Sequence, residues 1–213
     1  MVAVMRAWRG FLWVSLLLAV MAMAMPGFAA QSPAPDSAGE FMTKLADRAI
    51  ATLRAKDMSA EQRETTFNKL LAEAFDLDAI GRFVIGRHYQ QMTAEQREEY
   101  RRVFANFLIK TYARRLSGYS GEAFTVISAR PVDDQHVVVR GRIQRAGGAP
   151  LDCDWRLRAG DGGFRIIDLT VEGVSMAVAQ RQDFAAVLSS NGVDGLLAAL
   201  RARTDHLPAT ASR

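Results

Sequence analysis

The chain has 213 residues, a formal net charge of +4 and 49% hydrophobic side chains, which suits one domain with a sizeable core. Charged residues at 23% and only six prolines exclude a disordered or collagen-like chain. The single cysteine excludes both an intrachain disulfide and a cysteine-rich zinc site.

Residues 1–29 read as a secretory signal peptide. Arg6 and Arg9 precede an apolar run from Phe11 to Met25, and Pro26 then leads into Gly27-Phe28-Ala29-Ala30. Cleavage after Ala29 sets the small residues Gly27 and Ala29 at the two positions that need them. The run is short of the ~20 apolar residues a spanning helix requires, and no cysteine lies near the cut to carry a lipid anchor. Removal takes two arginines and no acid, leaving a net charge of about +2, which is no argument for a nucleic-acid partner. Trp155 is then the one tryptophan that remains.

Residues 30–36 read as a flexible leader, residues 37–203 as a single domain, and residues 204–213 as a disordered polar tail. Three capping boxes mark helix starts, Ser37 with Glu40, Ser59 with Gln62 and Thr93 with Gln96. Between them, the stretch from Phe75 to Tyr89 fits one or two short helical turns through Leu77, Ile80, Phe83 and Val84. The third box opens the strongest helix. Tyr100, Val103, Phe104, Phe107, Leu108, Thr111, Tyr112, Leu116 and Tyr119 recur at three- and four-residue spacing, with Arg97, Arg101 and Lys110 on the opposite side.

After Gly121 the period changes to two. Strands are expected at 123–130, 136–144, 151–158 and 164–172, joined by turns too short for parallel crossovers. Leu151, Cys153, Trp155 and Leu157 alternate with Asp152, Asp154, Arg156 and Arg158, so one face is buried and the other is wet and charged. Helix returns after Gly173, with Ser175 as N-cap and a break at Asn191-Gly192. The expected fold is α+β, a curved antiparallel four-stranded sheet covered on its apolar face by N- and C-terminal helices.

Material for catalysis is thin. His88, His136 and His206 have no ligand-spaced partner, so a metal site is unsupported. A Cys153–His136 nucleophile pair would need Cys153 off the apolar face that its parity assigns it, and a buried structural thiol is the favoured reading. Asp168 interrupts an apolar strand and would share a face with Phe164 and Ile166. There it is either a general base or a carboxylate held by backbone donors or an arginine, the second reading being favoured. Arg140, Arg142, Arg156 and Arg158 could meet an anionic headgroup, or simply form a solvated mixed face with Asp152 and Asp154. Large apolar side chains from helices and sheet converge on one interior, which is either a filled core or the wall of a ligand cavity.

Several stretches together carry a resemblance. Phe75-Asp76-Leu77 followed by Gly81-Arg82-Phe83-Val84-Ile85-Gly86-Arg87-His88-Tyr89, then Thr93-Ala94-Glu95-Gln96, then Tyr112-Ala113-Arg114-Arg115-Leu116 and Tyr119-Ser120-Gly121-Glu122 fall in order. Asp168-Leu169-Thr170-Val171-Glu172-Gly173-Val174-Ser175 and Arg181-Gln182-Asp183-Phe184 continue the series. Across about residues 40–202 the chain resembles the MlaC, or toluene-tolerance Ttg2D, family of periplasmic phospholipid-binding proteins.

The resemblance implies an NTF2-like fold and a monomeric periplasmic carrier, not an enzyme. Its cargo would be a phospholipid, or a hopanoid, moved between an outer-membrane lipoprotein complex and an inner-membrane ABC transporter with an MCE-domain ring. No cofactor is implied. Parity and periodicity then assign Phe83, Leu108, Tyr112, Val139, Trp155, Leu157, Val171 and Met176 to the interior that would meet acyl chains. Two rival readings differ in kind: an NTF2-like enzyme using Asp168 for proton transfer, and a filled-core adaptor without lipid cargo.

Overall fold

Helix starts are where the sequence acts most directly on this fold. The computed structural model describes residues 34–116, 121–145 and 147–205, and the signal segment, most of the leader, Tyr119 and His206 lie outside them. The first helix, α1 (Pro35–Arg54), has Ala34 as its N-cap and no side-chain cap. The Ser37–Glu40 box therefore does not form. Pro35, whose φ already suits the first helical position, starts the helix three residues earlier.

The other two boxes form with both reciprocal bonds. Ser59 opens α2 (Ala60–Ala74), receiving the Gln62 N–H at 3.1 Å and donating its own to Gln62 Oε1 at 2.7 Å. Asp76 caps α3 (Leu77–Ile85) by accepting the Ala79 N–H at 2.9 Å, and Gly86, at φ 60°, ends it. A single turn, α4 (His88–Gln91), leads to Thr93, which with Gln96 caps α5 (Ala94–Leu116). Each such cap contributes about 1 kcal/mol.

The apolar stripe of α5 buries as its spacing requires, with Tyr100, Val103, Phe104, Phe107 and Leu108 all at most 8% exposed. Gly81 lets α3 approach it closely: a Cβ there would stand 3.1 Å from the Phe104 ring. Tyr100 donates to the Gly81 carbonyl at 2.8 Å in a fully buried site, and burial pushes its hydroxyl well above the ordinary tyrosine range.

Five antiparallel strands follow in simple meander order: β1 (Ala123–Pro131), β2 (His136–Gln144), β3 (Leu151–Gly160), β4 (Gly163–Val171) and β5 (Val174–Ser175). The short fifth strand goes beyond the four expected. Glu172 (φ 50°) and Gly173 (φ 82°) make a two-residue turn with both positive angles, which folds Val174 and Ser175 back onto Val171 and Thr170. The last helix, α6 (Met176–Asp205), kinks at Gly192, the break foreseen from Asn191-Gly192, and runs on to bury Thr204.

Alternation holds across β2 and β3, where Val137, Val139 and Leu157 are 0% exposed. It fails at two bulges. One lies in β1 between Val126 and Ser128, leaving Ile127 47% exposed. The other lies opposite Arg156 and Leu157, which pair with Asp168 and Ile166. A one-residue slip flips every later side chain. Asp168 therefore stands across from Arg156 and does not share the face of Phe164 and Ile166 as strict alternation would have it.

The outer face is a ladder of arginine–aspartate pairs. Arg140 grips Asp154 through two bonds at 2.8 and 2.9 Å, and Arg142 grips Asp152 at 2.6 and 2.8 Å. These bonds hold both carboxyl groups below their ordinary values.

Two outcomes follow for stability. Tyr100→Phe removes a buried donor and should cost about 1–2 kcal/mol, seen as a drop of roughly 3–6 °C in a thermal melt. The aspartates of the ladder have folded-state pKa values depressed by arginine, so their stabilisation is complete above about pH 4 and disappears as pH falls through the depressed values. Melting temperature followed from pH 7 to 3 should fall less steeply in the Arg140→Gln/Arg142→Gln double variant than in wild type.

Candidate functional site

Among the described residues, two pockets lined chiefly by apolar side chains lie between the sheet and the helices, and a wider, more open one of about 460 Å³ lies between the first turns of α1 and β1, among Asp36, Glu40, Thr43, Lys44 and Ser128. The first, of about 160 Å³, is enclosed by α1 (Met42, Leu45, Ala49, Leu53), α2 (Phe67, Leu70, Leu71) and the sheet residues Phe124, Ile143, Trp155 and Ile166. The second, of about 140 Å³, lies between α3 (Ile80, Val84), α5 (Phe107, Leu108), β4 (Ile167, Leu169) and the first turns of α6 (Met176, Ala177, Gln180). Phe75 and Tyr112 belong to both walls.

Local structure accounts for these linings. The α1 contributions recur at spacings of three and four, so one face of the helix supplies them all. Phe75 ends α2 and bridges to Ile166 of β4, with the next residue, Asp76, donating its N–H to the Ile166 carbonyl at 2.9 Å. Gly141 leaves room for the Phe124 ring, which a Cβ would meet at 2.3 Å, and Phe124 stands edge-on to Trp155 with centroids 6.4 Å apart.

The sequence-assigned residues fall into three groups. Leu108, Tyr112, Trp155 and Met176 line a pocket. Val139 and Leu157 are wholly buried in the packed core and line neither, while Val171 is half-buried and pairs with Cys153 and Val174 near the sheet edge. Phe83 lies on the outer side of α3, 44% exposed, with the Arg181 guanidinium 5.2 Å from its ring centroid. Its neighbours Ile80 and Val84 take the inward positions. Neither Phe75 nor the α1 residues, whose three- and four-residue spacing is legible, are among the sequence-assigned residues.

Polar groups at the site are engaged or few. Asp168 accepts from Leu169 N at 2.8 Å, Ala177 N at 3.0 Å and Ser175 Oγ at 2.6 Å, which makes it the clasp that holds the start of α6 to β4. Cys153 is buried and its thiol donates to the Gly141 carbonyl at 3.6 Å, while burial raises its pKa. His136 instead pairs with Asp133 at 2.7 Å, and the register puts it opposite Arg158, five positions from the Gly141–Cys153 pair. Of the outer-face arginines, Arg140 and Arg142 are engaged as above, Arg158 pairs with Asp76, and Arg156 lies 3.8 Å from Asp133. Among the described residues, no group of three His, Cys, Asp or Glu could hold a metal ion. No described helix is long and apolar enough to cross a membrane. The geometry offers two volumes whose walls are chiefly apolar.

Comparison with known proteins agrees with this arrangement. The chain is 27% identical over 165 residues to the intermembrane phospholipid transport system binding protein MlaC of Haemophilus influenzae, covering 73% of this chain and 77% of that one. It is 24% identical over 128 residues to the toluene tolerance protein ttg2D of Pseudomonas putida, covering 60% of each. The solved structure of a phospholipid-binding protein from Ralstonia solanacearum, in complex with a phospholipid, superposes with a TM-score of 0.71. That structure is 25% identical, and the match covers 80% of this chain and 98% of that one. The family model described as MlaC protein matches residues 43–202, and on that span this chain belongs to the MlaC family.

Proposed function

We propose that this protein is a periplasmic phospholipid carrier that holds acyl chains between its sheet and helices and passes the lipid between membrane complexes. The observation that carries this reading is the pair of pockets lined chiefly by apolar side chains, in a fold that a relative uses around a bound phospholipid. The H. influenzae relative is named for intermembrane phospholipid transport and the P. putida relative for toluene tolerance. The three donors on Asp168 also favour a structural role for the one carboxylate that an enzyme reading would need.

Energetics suit a shuttle. Burying about thirty methylenes at ~0.8 kcal/mol each gives roughly 24 kcal/mol gross against water, above the ceiling of about 18–21 kcal/mol on noncovalent affinity. Against a bilayer the transfer is apolar to apolar and close to neutral. Such a carrier holds its cargo in water and releases it at a membrane-protein partner without a cofactor or nucleotide. The partners in this reading are an inner-membrane ABC transporter with an MCE-domain ring and an outer-membrane lipoprotein complex, with the carrier acting as a monomer after signal-peptide removal.

Both pockets are smaller than the ~300–1,000 Å³ common for sites that enclose a drug-sized ligand, so loading must widen them. The side chains between sheet and helices are the ones to move, since the backbone there is fixed by hydrogen-bonded ladders.

Native mass spectrometry of the exported protein tests the reading. One phospholipid-mass adduct per chain is expected, and a clean unliganded mass that stays clean after phospholipid is added would refute it. Leu45→Glu puts a carboxylate into the α1 wall at a half-buried position. It should reduce co-purifying lipid at least tenfold, because the buried charge opposes an acyl chain by well over 1.4 kcal/mol, with the far-UV circular dichroism spectrum unchanged.

A further inference from the structure

Phe83 faces solvent from the outer side of α3, away from both apolar pockets. Two further exposed apolar side chains, Val174 of β5 and Val178 in the first turn of α6, lie where the chain enters the helix packed beside α3. These are three of the five large apolar side chains left exposed among the described residues, so the exposure is concentrated here.

Single exposed apolar side chains are ordinary on a folded protein. The charge around this group is what sets it apart. Val178 and Arg181 are three residues apart on α6 and share a face, and the Arg181 guanidinium lies over the Phe83 ring, 5.2 Å from its centroid. It also reaches the end of α3, where a Cβ on Gly86 would stand 3.2 Å from Nη2. The carbonyl end of a helix favours a cation at that place. Arg82 precedes Phe83 and Arg87 follows Gly86, and both are exposed. Among the described residues, none of these three arginines lies within ion-pair distance of a carboxylate. The acids closest to the group in sequence are Asp78, which Arg101 neutralises, Asp183, which lines the second pocket, and Glu172.

Among the described residues, none of the three pockets includes Phe83, Val178 or Arg181. The group is therefore a surface and not a cleft in which a peptide side chain would seat. An aromatic ring and an aliphatic side chain that enter the acyl region, beside guanidiniums that stay with phosphates, match an anionic bilayer. We propose that Phe83 and Val178, with Arg82, Arg87 and Arg181, form a membrane-contact surface through which the protein docks directly and reversibly on anionic lipid bilayers. The inner sides of the same two helices wall the second pocket, so docking brings that pocket close to the membrane. Docking of this kind goes beyond the carrier reading and does not depend on the cargo.

Flotation of the exported protein with vesicles tests this. Vesicles of phosphatidylcholine alone are compared with vesicles of phosphatidylcholine and phosphatidylglycerol in equal parts. The protein should float with the anionic vesicles at low salt and lose most of its bound fraction in about 0.5 M sodium chloride. Arg82→Gln/Arg87→Gln should lower partition at least tenfold, since each arginine at an anionic surface is worth about fivefold. Phe83→Ser should lower it severalfold, with the thermal melt of each variant unchanged. Arg140→Gln/Arg142→Gln removes the same charge from the outer sheet face and should float like wild type. Equal flotation with neutral vesicles, or equal loss in the outer-face variant, overturns the proposal. So does absence of flotation with anionic vesicles, which would leave an acidic protein as the occupant of this face. The phospholipid adduct is read in parallel by native mass spectrometry. An adduct without flotation overturns this proposal alone, and flotation without an adduct refutes the carrier reading alone.

Discussion

The junction between α2 and α3 is the constraint on which the rest of the structure depends. There the chain runs alongside β4 for two residues, and the Asp76 N–H bonds the Ile166 carbonyl. The same Asp76 accepts the first free N–H it meets in α3 and receives the Arg158 guanidinium from β3. One aspartate thus closes a sheet edge, starts a helix and ties both to a central strand. Breaking a partly buried pair of this kind leaves a charge with poor solvation, so the joint resists opening. With the joint fixed, Phe75 must point into the space between layers, and α3 must lie across α5 at the distance that Gly81 permits.

From that joint the apolar interior divides into a filled part and an unfilled part. Tyr100, Phe104 and Phe184 stack and meet edge-on, with centroids 5.4 and 6.1 Å apart, and Leu196, Leu197 and Leu200 of the second half of α6 are nearly inaccessible. Val137, Val139, Leu157 and Ile166 complete a dense layer on the sheet. Pocket walls share Ile166 with that layer and otherwise come mostly from other side chains of α1, α2, α3, α5, the sheet and the start of α6. Packing density is therefore uneven by design of the sequence, which is the opposite of what a core built for stability alone would favour.

What was legible in the sequence follows the strength of local rules. Capping at Ser59 and Thr93, the wide stripe of α5 and the alternation in β2 and β3 are set by near neighbours, so they could be read without the fold. Alternation gave a wrong face to Asp168 because a bulge is decided by the partner strand, and one extra residue shifts the parity of everything beyond it. Phe83 was assigned inward because a short helix with glycines has little periodicity to fix its rotation. The structure resolves that choice through the Asp76 cap and the Gly81 contact, which turn Ile80 and Val84 inward instead. Val139 and Leu157 were rightly read as buried, yet no sequence pattern distinguishes a side chain that fills a core from one that borders a space.

That last distinction matters for how a lipid carrier can stay folded when it is empty. A protein whose whole interior were the ligand site would lose its core with each delivery and would fold only when loaded. Here Tyr100, Phe104, Phe184 and the leucines of the second half of α6 pack on one another, and Asp168 ties the start of α6 to the sheet through Ser175 Oγ and Ala177 N, bonds that owe nothing to cargo. Stability is thereby assigned to one set of contacts and adaptability to another. The walls on the α1 side can move apart against mostly apolar contacts, which are non-directional and reform in many arrangements. The hydrogen-bonded joint at Asp76 cannot slide in this way, because its bonds depend on distance and angle. Widening on the α1 side is thereby left to side chains of α1 and α2, and Phe75 stands at the border with the second pocket, which α3, α5, β4 and α6 wall.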